Sequence, residues 1–185
     1  MKLIGARVVL RPWTNSDFKP FAAMNADPAV MEYFPNVLSQ EESVALMERL
    51  QAAIEKRDWG LWVVEVNRKF AGFTGLAEPA FAAAFTPCVA IDWSFRKEFW
   101  GQGLAHEAAQ LALQFAFEEL RLDEVVSFTA KTNERSQRLM RRLGMTRDFA
   151  GDFEHPSLAA GHPLRPHVLY RLRPSQGELF RKAKR

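Results

Sequence analysis

A strand-like run that leads through a short glycine loop into a helix constrains this chain more than any other feature. Residues 89–95 have the composition of a strand, and residues 100–105 bring two glycines to the start of a long apolar-striped helix. Glycines let the backbone approach a bulky anion, and a helix start directs free N–H groups and a positive dipole end at it. The pattern therefore predicts a phosphate or pyrophosphate site.

Two nucleotide motifs fit this loop poorly. A P-loop ends in Gly-Lys-Ser/Thr, whereas Gly103 is followed by Leu104 and Ala105. A dinucleotide fingerprint needs a small residue where His106 stands and an acidic residue after the next strand, which ends near Thr129. A Gly-x-Gly-x-Ala phosphate loop remains, beside glycines that simply tighten a strand-to-helix turn.

The order of elements indicates an α/β (α+β) fold built on a mixed sheet. Strands are predicted at 6–13, 59–66, 70–77, 89–95, 124–129, 145–149 and 166–172, and helices at about 18–26, 40–57, 101–120 and 133–143. No repeat or linker interrupts them, so we expect one domain over 1–185 with a basic tail at about 174–185.

Composition limits the compartment and the partners. One cysteine rules out a disulfide within the chain and fits a reducing environment. The start lacks a leader pattern, and no apolar run reaches membrane-spanning length, so we expect a cytoplasmic protein without a membrane contact. The net charge of +3 lies largely in residues 181–185. This favours a solvated end over a nucleic-acid site, and suits an anionic cofactor.

Two further motifs accompany the loop. Asn133, Ser136 and Gly144 mark a helix after the next strand, and Arg7 to Arg11 open the chain with a strand-like run. Together with the loop they resemble the GNAT superfamily of N-acetyltransferases, in its ribosomal-protein-alanine acetyltransferase (RimJ/RimL-like) form, from Arg7 to about Leu172. The resemblance implies one mixed, mostly antiparallel twisted sheet of about six or seven strands, with about four flanking helices and a splayed centre.

The resemblance also implies acetyl-coenzyme A as co-substrate and no metal. Trp93 and Phe95 would pair with the pantetheine arm through their main chain, and Asn133 would meet the same arm. The pyrophosphate would be cradled by Trp100, Gly101, Gln102, Gly103, Leu104 and Ala105.

The proton-transfer groups follow less directly. Many superfamily members carry a tyrosine acid where this chain has Met140, so the resemblance points to Ser136 as the acid. A first-turn serine can also simply bond the backbone. Relatives often carry a glutamate base where Ala90 stands. Asp92 is our candidate base, with Glu65, His167 and a chain of waters left open.

The implied reaction is acetyl transfer to a primary amine, either a protein N-terminus or a small amine, by direct attack in a ternary complex. A non-catalytic coenzyme A-binding or sensor protein is the alternative, because two proton-transfer positions are replaced. The resemblance to the superfamily implies a monomer or a homodimer. Trp13, Trp59 and residues 81–85 are candidates for an apolar acceptor cleft, and the histidine-rich loop at 155–167 for its mouth rather than for a zinc site.

Overall fold

A computed structural model describes residues 1–174, which form one eight-stranded sheet with helices on both faces. The predicted basic tail therefore lies almost entirely outside the described residues. The strands are β1 (Leu3–Ile4), β2 (Val9–Arg11), β3 (Leu61–Val66), β4 (Lys69–Ala77), β5 (Ala90–Phe95), β6 (Val125–Ala130), β7 (Thr146–Glu154) and β8 (Pro166–Leu172). The helices are α1 (Phe18–Asn25), α2 (Gln40–Arg57), α3 (Leu104–Glu118) and α4 (Glu134–Arg142).

The sheet is mixed and mostly antiparallel, as predicted. Its strand order is β1-β2-β3-β4-β5-β6-β8-β7, and β5 with β6 is the parallel pair. The prediction of six or seven strands was low by one, because β1 has two residues and shows no alternation that a sequence pattern could reveal. The opening strand was also predicted too long, since β2 spans three residues.

Short-range signals placed the start of α2 and the hairpin correctly, whereas α3, predicted from about Gly101, begins at Leu104 because Gly101 and Gly103 adopt left-handed backbone angles. Ser39 accepts the Glu42 N–H while Glu42 accepts the Ser39 N–H, so the predicted capping box begins α2. Asn67 and Arg68 both adopt left-handed backbone angles, which gives the tight turn that joins β3 to β4.

The two sheet faces carry different helices. Trp62 on β3 packs edge-on against Phe115, which puts α3 on one face. Phe73 on β4 packs against Phe21, which puts α1 and its neighbour α2 on the other. Trp13, a predicted cleft residue, belongs to this second layer of the core instead. It is buried against Phe21, and its indole N–H donates to the Leu61 carbonyl over 2.7 Å.

An ion cluster joins β2 to β3 and to the turn that begins α1. Arg11 bonds Asp17 at 2.7 Å and Glu65 at 2.6 Å, and both its guanidinium and the Asp17 carboxylate are largely buried. Burial alone would raise the Asp17 pKa, but the bonds from Arg11 and Thr14 outweigh it and hold that pKa below its ordinary value.

The predicted splay lies between β5 and β6. Within residues 1–174 their ladder has one register pair, Ala90 with Val126. The Ser127 hydroxyl caps it by donating to the Ile91 carbonyl over 3.0 Å. Beyond this point the strands separate, and the main chain of β5 faces a gap.

Candidate active site

A pocket of about 450 Å³ opens where β5 and β6 separate. Its walls come from β5, the glycine loop, the starts of α3 and α4, and the segment between α1 and α2. Predicted site residues that line it are Trp93, Phe95, Trp100, Gly101, Gly103, Leu104, Ala105, Asn133 and Ser136. The tertiary structure thus brings together nine of the residues named from the sequence, whereas Gln102 and Asp92 are not part of this lining.

The glycine loop has the backbone that an anion cradle needs. Gly101 and Gly103 have φ of +72° and +74°, which residues with a Cβ rarely adopt, and α3 begins directly after them at Leu104. A Cβ on Gly101 would meet no protein atom within 4 Å, so the loop faces open space. The first N–H groups of α3 point into that space.

Arg7 fixes the loop from behind. The Arg7 guanidinium donates to the Gln102 carbonyl over 2.9 Å and to the Glu107 carboxylate over 2.8 Å. The backbone N–H of Arg7 donates to the same carboxylate. Gln102 therefore supports the loop through its main chain. Glu107 joins the first turn of α3 to the N-terminal segment.

Arginines on one face of α4 form the opposite wall of the pocket. Arg135, Arg138 and Arg142 line it, and His106 from α3 joins them. Arg135 also stacks over the Trp100 ring at 4.3 Å. Sequence reasoning missed this basic wall, although the spacing of three and then four residues places the arginines on one helix face. Such a wall complements phosphate groups.

Ser136 occupies the centre of a hydrogen-bond network. Its Oγ accepts from the Trp93 indole N–H at 3.3 Å and from the Asn133 side-chain amide at 3.1 Å. The Asn133 Oδ1 in turn accepts the Ser136 N–H, so Asn133 begins α4 as its N-cap. With both lone pairs of the Oγ engaged, the hydroxyl proton is free to point into the pocket.

The main chain of Trp93 and Phe95 lies on the gap side of β5. Ile91 bonds towards β6 and Arg96 bonds back to Ala71 on β4, so by alternation the residues at 93 and 95 face the gap. The Phe95 carbonyl already accepts the Trp100 indole N–H at 2.8 Å. An extended chain could therefore add to β5 alongside Trp93, in the manner of a strand.

Asp92 lies on the other face of β5, two residues from Ser94. In residues 1–174 its carboxylate has neither a hydrogen-bond partner nor an ion-pair partner, and burial raises its pKa to about 6. A carboxylate with that pKa is half-ionised at about pH 6 and mostly ionised near neutrality, where it can accept a proton.

The two other candidate bases have different surroundings. Glu65 is bound by Arg11 at 2.6 Å, and this ion pair ties its carboxylate to β2 and β3, away from the pocket. His167 stacks near His155, with ring centroids 4.9 Å apart, inside an aromatic cluster that includes Phe81 and Phe85. Burial, together with His155, lowers the His167 pKa although its bond to the Arg165 carbonyl opposes this.

Two other kinds of feature are absent from residues 1–174. Among residues 1–174, no three His, Cys, Asp or Glu side chains gather closely enough to hold a metal ion. Over the same range, no helix has both the length and the hydrophobicity to cross a bilayer.

These features combine a backbone cradle, a basic wall and an open strand edge in one pocket, an arrangement that suits a phosphate-bearing ligand. The family model of the GNAT acetyltransferase domain matches residues 7–146. The chain therefore belongs to the GNAT acetyltransferase family, whose members use acetyl-coenzyme A. The residues present suit that donor, because the glycine loop, the basic wall of α4 and the gap beside β5 are contiguous.

Two proteins of similar sequence are named for specific acetyltransferase activities. The FsC-acetyl coenzyme A-N(2)-transacetylase of Aspergillus fumigatus is 29% identical over 155 residues, covering 76% of this chain. The alignment takes in 63% of the fungal protein, so the chain spans less than two thirds of it. Spermidine N(1)-acetyltransferase of Escherichia coli is 27% identical over 146 residues, covering 75% of this chain and 73% of that protein.

Solved structures agree on the fold. A GNAT-family acetyltransferase from Bacillus anthracis superposes with a TM-score of 0.77 at 22% identity, over 94% of this chain and 98% of the other. RimL, a ribosomal alpha-N-protein acetyltransferase solved in complex with coenzyme A, superposes with a TM-score of 0.75 at 16% identity, over 94% and 98% of the two chains.

Proposed function

We propose that this chain transfers the acetyl group of acetyl-coenzyme A to a primary amine by direct attack in a ternary complex. The observation that carries the proposal is the Ser136 network, in which the hydroxyl oxygen accepts two hydrogen bonds at the pocket wall and its proton has no acceptor among the described residues. That proton is positioned to reach a departing thiolate. The RimJ/RimL-like type is part of the proposal, since it is the form in which serine replaces the tyrosine acid.

The donor would be held by the chain's main-chain groups. In the proposal, Trp93 and Phe95 pair with the pantetheine arm, the loop at 100–105 holds the pyrophosphate, and Asn133 meets the arm at the start of α4. The thioester supplies an activated acetyl carbon. Holding it beside the acceptor converts a bimolecular encounter into a step within one complex.

Asp92 is the proposed base. Its carboxylate faces away from the donor pocket, towards the side of the sheet that carries α1 and α2. An amine entering from that side would meet an unpaired carboxylate whose pKa, raised by burial to about 6, suits proton acceptance near neutral pH.

The test is turnover of acetyl-coenzyme A by the purified full chain with a panel of amines. Acceptor-dependent thiol release, with the acetylated amine identified by mass spectrometry, supports the proposal. Binding of coenzyme A without any such release would instead support a non-catalytic sensor. The specific observation in favour of that second function is that buried Met140 and Ala90 occupy positions where relatives carry acid and base.

The remaining sequence predictions accompany this proposal. They are a single cytoplasmic domain, a monomeric or homodimeric state, and a basic tail without a nucleic-acid partner. Size-exclusion chromatography with light scattering checks the oligomeric state.

A further inference from the structure

A second cavity adjoins the donor pocket on the opposite face of the sheet. It measures about 260 Å³ and lies between α2, the segment after α1, and strands β4 and β5. Ser94 and Phe34 line both cavities, so the two spaces meet at these residues. A molecule in the second cavity can therefore reach the place where the donor's acyl end would lie.

The walls of this second cavity are mainly apolar. The apolar side chains that line it are Met31, Phe34, Pro35, Leu38, Leu46 and Phe73. Phe34 is 47% exposed at the junction, which is unusual for a large aromatic side chain and leaves it available to cover a ligand. The volume lies below the range of about 300–1,000 Å³ that is typical of drug-sized ligands, so it suits a smaller group.

The lining of the second cavity carries little charge. In the lining, which is made of described residues, Glu42 is the one carboxylate, and its Oε2 accepts the Ser39 N–H over 2.7 Å in the capping box of α2. Nearby Glu32 is bound by Arg135 at 2.6 Å. Glu42 has no ion-pair partner among the described residues, but it is exposed, so water screens its attraction for a further ammonium group. The apolar lining would still cost a second or third ammonium group its hydration.

A carboxylate does stand at the inner end of this face. Asp92 lies two residues before Ser94 on the same side of β5, a separation of about 7 Å along an extended strand. An acceptor whose apolar body fills the second cavity would thus carry its amine towards Ser94 and Asp92.

We propose that the acceptor is a primary monoamine with an apolar substituent about the size of a leucine or phenylalanine side chain, bound in this second cavity. The inference rests on the proposed acetyl transfer and adds the class of acceptor. A free apolar amine and a peptide with an apolar first residue share this chemistry. Polyamines do not.

The experiment compares acceptors by kcat/KM in acetyl-coenzyme A turnover. The panel contains 2-phenylethylamine, 3-methylbutylamine, a peptide beginning with Phe, the same peptide beginning with Ser, ethanolamine and spermidine. We expect kcat/KM to be at least about tenfold higher for the apolar acceptors than for the polar ones, because discrimination by an apolar pocket has this magnitude. The relative rates of the free amine and the Phe peptide identify the source of the acceptor.

Two variants test the cavity itself. Leu46→Trp fills it and should lower kcat/KM for 2-phenylethylamine about tenfold or more. Leu50→Trp, one turn further along α2 and outside the lining, is the matched control and should leave the preference intact. Leu38→Asn keeps the size of the side chain but removes apolar contact, so it should reduce the kcat/KM preference for apolar over polar acceptors. This variant tests the cavity even if Leu46→Trp folds poorly.

The outcomes separate this inference from the general function. Preferred turnover of spermidine or ethanolamine would overturn the apolar acceptor while leaving acetyl transfer in place. If no amine is turned over, thermal stabilisation by 2-phenylethylamine in the presence of coenzyme A decides the matter. Stabilisation that Leu46→Trp abolishes would retain the cavity assignment and reject transfer, and absence of stabilisation would reject both.

Discussion

The Trp93 indole N–H and the Ser136 hydroxyl oxygen lie 3.3 Å apart and connect β5 to α4 on the donor side of the splay. The bond comes from the side chain of Trp93, while the main chain of the same residue faces the gap between β5 and β6. One residue of β5 thereby links the strand expected to hold the donor with the group expected to give the proton.

Ser136→Ala should lower kcat by about 10²-fold, since a positioned acid contributes about 10²–10⁴ to the rate. The affinity for coenzyme A should change little, because the backbone groups of the pocket remain. Single-turnover kinetics and calorimetric titration measure the two effects. Ser157→Ala, in the loop after β7, is the control, and a Ser136→Ala variant with the wild-type rate would remove Ser136 as the acid.

Trp93→Phe keeps an aromatic side chain but removes the indole N–H that donates to Ser136. We therefore expect a smaller fall in kcat than for Ser136→Ala, with little change in the KM for acetyl-coenzyme A. Because Trp93 acts through Ser136, the substitution should have almost no additional effect in the Ser136→Ala background. A double-mutant cycle on kcat measures this coupling. Fully additive effects would show that Trp93 contributes by another route.

Gly103→Val should abolish coenzyme A binding, because φ of +74° is strained for a β-branched residue and the loop would have to move. The readout is the shift in melting temperature on adding coenzyme A. Gly161→Val is the matched control, since Gly161 has φ of +80° and a Cβ there would meet no atom within 4 Å, while a Cβ on Gly103 would make only an ordinary contact with Arg7 at 3.5 Å. Retained stabilisation by coenzyme A in Gly103→Val would contradict the loop assignment.

Asp92→Asn should remove a basic group from the acceptor side and lower kcat/KM by about 10²-fold. The wild-type enzyme should gain activity as pH rises through about 6, because burial raises the Asp92 pKa to that value and the base acts when ionised. The variant should lack this limb of the pH profile. Asp58→Asn, at an exposed position, serves as a control. If activity of the Asp92→Asn variant still rises with pH near 6, another group is responsible for that rise.

Asp17→Asn should reduce the free energy of unfolding by about 3 kcal/mol at neutral pH, because the Arg11 guanidinium loses a buried partner. The Asp17 pKa is lower in the folded chain than its ordinary value of 3.8. Its stabilising effect is thus complete above that value and is lost as pH falls below it. Urea unfolding should show the gap between wild type and variant closing at acid pH, with exposed Asp123→Asn unaffected at either pH.

Much of the fold was predictable because its signals are local. The Ser39 capping box, the Asn67–Arg68 turn and the Gly101 and Gly103 loop depend on residues a few positions apart, and all three lie where the sequence predicted them. Trp13 could not be placed by such reasoning. Its apolar character suits a cleft and a core equally, and the partners that bury it come from distant segments.

The sequence by itself determined the strand, glycine loop and helix, and with the Asn133 helix it indicated a donor pocket between them. Hydrophobic periodicity and backbone preference act within a few residues, which is why these elements could be read directly. The tertiary structure decided what the pocket contains. The separation of β5 from β6 brings Trp93 within reach of Ser136, residues 43 positions apart. It also sets Asp92 on the opposite face, near a cavity assembled from four segments that share no sequence pattern.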